Sequence, residues 1–180
     1  MNLDHVFKKT KKPLKKREST TTVPDGLLCR CSRCKKPILV QEVRDAYYIC
    51  PKCGGYFKVR AYERIRRVAD EGTFQESDRE LVGENPLGFE GYEEKLAAER
   101  LKTRMKEAIV TGTGSIDGIP AALGVMDSRF MMASMGWAVG EKLTRLIEKA
   151  TTENLPLILF TCSGGARMQE GIHSLMQMAK

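Results

Sequence analysis

This sequence of 180 residues contains no run of about 20 apolar residues, the length that a membrane-spanning helix needs. Its first residues, MNLDHVFKKTKKPLKKREST, include no apolar segment of the kind that a secretory signal requires. We therefore expect a cytoplasmic protein that makes no use of a membrane. Only two histidines occur, His5 and His173, so the sequence offers few candidates for the general base of a Ser-His-Asp or Cys-His enzyme.

Acidic residues are scarce at the N-terminus, where the charge is concentrated. Seven Lys or Arg residues stand against Asp4 and Glu18 in residues 1–18, which gives +5 of the net charge of +7. One interpretation of residues 1–26 is a solvated, disordered basic arm. The other is an arm that attracts polyanions such as nucleic acid.

Five of the six cysteines lie within residues 29–53. CSRC and CPKC place Cys31, Cys34, Cys50 and Cys53 in a C-x2-C, spacer, C-x2-C pattern with 15 residues between the pairs, which is typical of a structural four-cysteine zinc site. The spacer PILVQEVRDAYYIC is rich in strand-forming residues and predicts a hairpin. Residues 27–58 are thus predicted to form a zinc ribbon with one structural zinc ion. Cys29 does not fit the spacing and is left as a spare thiol or an alternative to Cys31.

Two further regions follow the ribbon. Residues 59–105 have charged helical patterning and form a predicted helical linker region, in which Ala97, Leu101 and Met105 share one helix face. Residues 106–180 predict the order β-β-β-α-β-α: a hairpin around Asp117-Gly118, a short strand in RFMMASMGW, a helix, the run LPLILF as a strand buried on both faces, and a last helix. That helix ends at Lys180 without a cap, and we expect a truncated chain.

The segment TCSGGARMQEG places Gly164 and Gly165 where LPLILF gives way to the last helix. It is neither a G-x-S-x-G elbow nor a G-x4-G-K-[ST] phosphate loop. Cys162 is predicted to be a small core residue and His173 a packing or surface residue. Two glycines at such a junction fit a simple tight turn. They also fit a pair of backbone N–H groups that bind an oxyanion, such as the enolate of a thioester.

The combination of the CSRC…CPKCGGYF ribbon, the GTGSIDGIP hairpin, the GEKLTRLIE helix and SGGARMQEG resembles the family of bacterial acetyl-coenzyme A carboxylase carboxyltransferase β subunits over residues 27–180. The resemblance implies an α/β, crotonase-like (ClpP/crotonase) fold of ββα units, here partial and preceded by the zinc ribbon. Residues 106–180 would be the N-terminal part of the carboxyltransferase domain.

The resemblance also implies an activity, the transfer of carboxylate from carboxybiotin to acetyl-CoA, which yields malonyl-CoA for fatty acid biosynthesis. The N–H groups of Gly164 and Gly165 would hold the enolate oxygen. The implied partners are the carboxyltransferase α subunit in an α2β2-type heterotetramer, the biotin carboxyl carrier protein and biotin carboxylase. The candidate substrate-binding residues beside the glycines are Ser134, Met135, Gly136, Ser163, Ala166 and Arg167, of which Arg167 would orient the loop, meet the CoA phosphates or pair with Glu170.

The sequence departs from the family pattern in three ways: Cys29 is an extra thiol, the arm is more basic, and the family continues beyond the position of Lys180. The isolated chain is therefore expected to be inactive and poorly stable. Two alternatives remain open at this point. One is a nucleic-acid-binding module made of the ribbon and the basic arm, and the other is an inactive fragment of the carboxyltransferase.

Overall fold

A computed structural model describes residues 26–180. The basic arm predicted over residues 1–26 lies outside this part of the chain, apart from Gly26. The chain divides into two compact units between Tyr56 and Phe57.

The first unit is built on a short antiparallel hairpin. Strand β1 (Leu28–Arg30) pairs with β2 (Pro37–Leu39), and helix α1 (Val40–Asp45) follows directly. The strand-like spacer was expected to continue the hairpin, and that prediction is wrong from Val40 onward. Val43 lies on this helix and is buried, so burial of its side chain outweighs the strand preference of the β-branched residues in the spacer.

The second unit contains a four-stranded sheet and four helices. The sheet has the order β3-β4-β5-β6; its first three strands are antiparallel, and the fourth is parallel to β5. The strands are β3 (Gln75–Ser77), β4 (Ile109–Ile116), β5 (Ile119–Met126) and β6 (Leu157–Phe160). The helices are α2 (Ala61–Val68), α3 (Tyr92–Thr103), α4 (Trp137–Thr152) and α5 (Ile172–Ala179). Within residues 26–180 no helix combines the length and the apolar character that crossing a membrane requires.

The central hairpin is confirmed. Ile116 pairs with Ile119, and both turn residues have positive φ, 49° at Asp117 and 77° at Gly118. These values define a type I′ turn, which matches the twist of the flanking strands and explains the Asp-Gly pair. The Asp70 carboxylate accepts hydrogen bonds from the N–H groups of both turn residues, at 3.0 and 2.8 Å.

The short strand expected in RFMMASMGW is not formed. The Asp127 carboxylate accepts the Arg129 N–H at 3.0 Å and turns the chain just after β5, and a 3-10 turn occupies Met131–Ala133. Only Met135 makes a bridge, to Ala166. The observed order after residue 106 is therefore β-β-α-β-α.

Two predicted burial patterns also differ from the structure. On α3 the buried residues are Tyr92, Leu96 and Thr103, while Leu101 is 85% exposed. Its other face turns inward because the Tyr92 hydroxyl bonds the buried Glu170. Strand β6 lies at the sheet edge and is only partly covered, since its residues alternate between exposed and half-buried.

The core lies between the sheet and helices α2, α3 and α4, and it leaves little free volume beside β4. A Cβ atom on Gly112 would lie 2.2 Å from the Gln75 carbonyl oxygen and 2.7 Å from the Phe74 ring. A Cβ atom on Gly114, on the same strand, would come no closer than 3.3 Å to any atom. Glycine at 112 therefore permits the close approach of β3 to β4.

We expect Gly112→Ala to lower the free energy of unfolding by about 1–3 kcal/mol, the usual range for overpacking, because backbone must move to admit the methyl group. Gly114→Ala is the matched control, since it adds the same group to the same strand where space is less restricted. Urea denaturation of both variants measures the difference. Equal losses would show that the approach of β3 is not the cause.

Candidate functional site

The glycine loop, residues 161–167, connects β6 to a 3-10 turn at Met168–Glu170. Gly165 has a φ of 106°, in a region that residues with side chains rarely adopt. The Gly165 N–H donates to Ser163 Oγ at 3.1 Å, and the Gly164 N–H donates to the Met132 carbonyl oxygen at 2.9 Å. Both candidate oxyanion donors therefore have internal acceptors, which a bound oxyanion would have to replace.

A left-handed turn, Met131–Ala133, faces the glycine loop. Its three residues have φ values of 43°, 57° and 54°, although none is glycine. Such conformations cost roughly 1–2 kcal/mol per residue, so the surrounding contacts must hold them. A Cβ atom on Gly164 would lie 2.9 Å from the Met132 carbonyl oxygen and 3.2 Å from its Cβ. Glycine at 164 thus allows the two segments to touch.

A cleft of about 790 Å³ opens beside these segments. Gly164, Ser134, Ala166 and Arg167 contribute to its wall, which brings four of the predicted site residues together. Gly136 instead lies against the Glu170 carboxylate, where a Cβ atom would approach an oxygen to 2.3 Å. The packing of a buried acid therefore accounts for glycine at 136.

The remaining wall of the cleft includes four basic side chains among polar residues and methionines. The basic residues are Arg60, Lys95, Lys102 and Arg129, with Glu99 as the acidic member. This excess of positive charge favours an anionic ligand such as a phosphorylated one. Sequence reasoning missed these four residues: Lys95 and Lys102 look like part of an ordinary solvated helix face, and Arg60 and Arg129 lie outside the helices with no local pattern to mark them.

The Arg167 guanidinium is fully buried between two buried carboxylates. It lies 2.7 Å from Glu107 Oε1 and 3.3 Å from Glu170 Oε1. Arg167 therefore cannot reach a ligand phosphate in this arrangement, and the pairing with Glu170 that the sequence suggested is present. Burial lowers the pKa of Arg167, but its hydrogen bond and charge interaction with Glu107 outweigh burial and raise it, so the cation persists at all ordinary pH.

Each buried carboxylate has further donors. Glu107 accepts the Gly83 N–H at 3.1 Å, and Glu170 accepts the Trp137 N–H at 2.5 Å and the Tyr92 hydroxyl at 2.5 Å. Trp137 begins α4, so the positive end of that helix helps to neutralise Glu170. Burial and the bond to Glu170 both raise the pKa of Tyr92, which stays a proton donor.

The four paired cysteines form a second candidate site, in the first unit. The sulfur atoms of Cys31, Cys34, Cys50 and Cys53 all lie within 4.8 Å of one another. Two of the separations are 3.7 Å (Cys31 to Cys53) and 3.9 Å (Cys34 to Cys50). A tetrahedral ion with metal–sulfur bonds of about 2.3 Å needs sulfur separations of about 3.8 Å. The cluster could therefore hold a metal ion. The Cys29 sulfur instead points to the Ile38 carbonyl oxygen, at 3.6 Å.

The remaining candidates from the sequence carry no evident chemistry. Cys162 is exposed, so the prediction of a core residue is wrong: it follows β6 at the sheet edge, where nothing in the described chain covers it. His173 is exposed on α5, consistent with a surface residue.

The fold and the cleft define the class. Strands β4 and β5 are followed by helix α4 and then by β6, and the backbone donors lie in the loop after β6. This ββα arrangement is that of a crotonase-like α/β protein. A crystal structure of transcarboxylase 12S with methylmalonyl-coenzyme A and methylmalonic acid bound superposes with a TM-score of 0.59 at 29% identity, covering 68% of this chain and 22% of that one.

Residues 58–180 match the family model of the carboxyl transferase domain, and the chain belongs to this family. The acetyl-coenzyme A carboxylase carboxyl transferase subunit beta of Carboxydothermus hydrogenoformans is 56% identical over 158 residues, which cover 88% of this chain and 56% of that one. The subunits beta/alpha protein of Natranaerobius thermophilus is 55% identical over 158 residues, or 88% of this chain and 26% of that one. The chain thus spans only part of the length of these relatives.

Asp127 links the cleft to the core. Its buried carboxylate accepts the N–H of Ala61, the first residue of α2, at 2.9 Å, and the Arg129 guanidinium at 2.7 Å. Burial opposes ionisation, but the hydrogen bonds from Arg129 and from the Ala61 N–H outweigh it and hold the pKa of Asp127 below its ordinary value. Its contribution to stability is therefore present above the unfolded pKa of about 3.9 and is lost as the pH falls through the lower folded value.

We expect Asp127→Asn to lower the free energy of unfolding at pH 7 by about 1.5–3 kcal/mol, the range for hydrogen bonds to charged groups. The difference from the unsubstituted chain should shrink as the pH falls toward 3. Denaturation at several pH values measures it. Asp78→Asn is the control, because Asp78 pairs with a half-exposed arginine and should show a much smaller effect. A loss that does not depend on pH would contradict the assignment.

Proposed function

We propose that this chain is the acetyl-CoA-binding part of a biotin-dependent acetyl-CoA carboxyltransferase, the β subunit, and that it takes part in forming malonyl-CoA. The membership of the family and the names of the relatives support this proposal. The observation that carries it is the glycine loop, of which Gly164, Ala166 and Arg167 line a cleft with a basic rim. An acyl-CoA has matching parts, a thioester carbonyl and several phosphates.

The basic rim would bind the anionic end of acetyl-CoA. Lys95 and Lys102 lie on α3, while Arg129 is held in place by Asp127. The long-range attraction of several cations speeds the encounter with a polyanion. Their role is binding, since none of them needs to change its protonation state.

The glycine loop would stabilise the enolate. When the acetyl methyl group loses a proton, negative charge moves to the thioester oxygen, and the resulting carbanion carbon forms a bond to CO2. Carboxybiotin, when bound, supplies the CO2 and accepts the proton. One backbone donor in such a site contributes about 2.7–4 kcal/mol to the transition state.

Gly165 is the better of the two donors. Its N–H bonds only the exposed hydroxyl of Ser163, at 3.1 Å, and a hydroxyl can rotate away or be replaced without moving the backbone. The Gly164 N–H bonds a main-chain carbonyl of the left-handed turn, so its release requires movement of that turn. Of the other predicted residues, Ser134 and Ala166 line the cleft and would border the acyl group, whereas Met135 and Ser163 would act through their hydrogen bonds to Gly165.

The carboxybiotin half of the site would come from partners. We propose the carboxyltransferase α subunit, assembled with this subunit as an α2β2-type heterotetramer, together with the biotin carboxyl carrier protein and biotin carboxylase. The Natranaerobius relative, whose name joins beta and alpha in one protein, supports a close association of the two subunits.

The activity test uses the subunit extended to the length of its relatives, mixed with an α subunit, carboxybiotin and acetyl-CoA. We expect malonyl-CoA formation by this mixture and none by the 180-residue chain alone. Gly165→Val should lower kcat at least 100-fold, because valine cannot adopt a φ of 106° without moving the donor.

Gly72→Val is the matched control. Gly72 also has a positive φ, 76°, with open space around its Cβ position, but it lies in the turn between α2 and β3, away from the cleft. It should strain the backbone comparably and leave kcat within a few-fold. Equal losses in the two variants would remove the glycine loop from the mechanism, and absence of malonyl-CoA in every mixture would refute the proposed function.

We infer that the cysteine cluster binds one structural zinc ion. Four thiolates at tetrahedral separations suit zinc and leave no open coordination position for catalysis. When bound, the ion would hold the two CxxC turns together in a unit too small to be stable on its core alone.

Metal analysis of purified single variants tests the ligand set. Cys31→Ser should reduce the zinc content well below one ion per chain and destabilise the first unit, whereas Cys29→Ser should retain the ion. The two cysteines are two residues apart, so each serves as a control for the other. Loss of zinc in the Cys29 variant and its retention in the Cys31 variant would overturn the assignment.

A further inference from the structure

The two main-chain segments that form the wall of the cleft are joined at one register. The Met135 N–H donates to the Gly165 carbonyl oxygen at 2.8 Å, and the Arg167 N–H donates to the Met135 carbonyl oxygen at 2.9 Å. Both bonds lie next to the oxyanion donors, so the separation of these segments sets where the donors point. Two backbone hydrogen bonds at the edge of an open cleft are a weak support by themselves.

The Arg167 side chain reinforces this junction from the buried side. Its Nη2 donates to the Ser134 carbonyl oxygen at 2.8 Å, and its Nε lies 3.3 Å from the Ser134 hydroxyl. Arg167 thus hydrogen-bonds the facing segment through both its backbone and its side chain. The guanidinium has a fixed planar arrangement of donors, so these bonds have a defined direction, which the single ammonium of a lysine could not provide.

The same guanidinium is tied to the rest of the second unit. Glu107 links it to the chain just before β4, Glu170 links it to the first residue of α4, and Tyr92 links it to α3. Helix α3 also carries Lys95 and Lys102, which line the same cleft. The glycine loop, Ser134 just after the left-handed turn, and α3 are therefore all joined to one buried cation.

We propose that Arg167, held by Glu107 and Glu170, is the positioning residue for the oxyanion donors. It touches no substrate, and it acts by fixing the distance between Gly165 and the Ser134–Met135 segment. The expected effect on kcat rests on the proposed function, whereas the effect of Arg167 on the geometry of the two segments does not. A donor displaced by about 1 Å can slow a reaction about 100-fold, so a small loosening should be visible in kcat.

Replacing Arg167 alone would not distinguish a positioning role from a role in stability, because two buried carboxylates would lose their cation and the protein would be destabilised. The informative variant is Arg167→Met combined with Glu107→Gln. It keeps the local net charge at −1, as in the native set of one cation and two anions, and it should recover much of the thermal stability that Arg167→Met loses. Arg167→Lys is the conservative variant, since it retains the charge but not the fork.

The experiment uses the subunit extended to the length of its relatives and assembled with an α subunit. In the charge-balanced double variant we expect kcat to remain about 10- to 100-fold low after stability has recovered. The Kd for acetyl-CoA should stay within about 3-fold, because the basic rim is untouched. Arg167→Lys should lie between the native protein and the double variant. Recovery of kcat together with stability would overturn the proposal and leave Arg167 a purely structural residue.

Hydrogen exchange gives a readout that does not depend on the reaction. Amides of residues 131–136 and 163–167 should exchange faster in Arg167→Lys and in the double variant. Leu146→Ala is the control, because it empties a different part of the core and should destabilise the protein without loosening these segments selectively. Unchanged exchange would refute the positioning role. If the native assembly made no malonyl-CoA, the proposed function would fail, and hydrogen exchange would still decide the role of Arg167.

Discussion

The buried ion pairs of Arg167 with Glu107 and Glu170 are the interaction on which the second unit depends. Burying three charged groups is unfavourable unless each one finds its donors or acceptors, and here each does. Their hydrogen-bond partners come from Ser134 after the left-handed turn, Trp137 at the start of α4, Tyr92 on α3, and Gly83 and Ala108, which precede α3 and β4. Elements far apart in sequence must be in place together before any of these charges is satisfied, which makes the arrangement cooperative.

This network explains features that would otherwise look like separate requirements of the chemistry. Gly136 and Gly83 leave space for the two carboxylates, since a Cβ atom at either position would lie 2.7 Å or less from a carboxylate oxygen. Gly164 leaves space for the left-handed turn. Of these glycines and Gly165, only Gly165 has a positive φ, a conformation that glycine itself must supply. Four glycines near one site therefore have three different physical causes.

Local chemistry made several features predictable from the sequence. The paired CxxC turns, the type I′ hairpin at Asp117-Gly118 and the helical period of α4 each depend on residues close together in the chain. The strand expected in RFMMASMGW failed because Asp127, at the end of the preceding strand, captures the Arg129 N–H and redirects the chain. The helix face predicted for α3 is not the buried one, because the Tyr92 hydroxyl bonds a carboxylate 78 residues away. Hydrophobic periodicity cannot reveal either of these two contacts.

The sequence by itself determined the paired-cysteine pattern, the hairpin and the position of the glycine pair, and with its family resemblance it indicated the class of chemistry. Tertiary structure alone decided that Arg167 is buried and holds the loop, that Gly164 and Gly165 have different acceptors, and that a basic rim forms from α3 and the segments that pack near it. The physical reason is the sequence separation of the interacting residues. Turn geometry and cysteine spacing are set within a few residues, whereas burial and charge pairing depend on which distant elements come together.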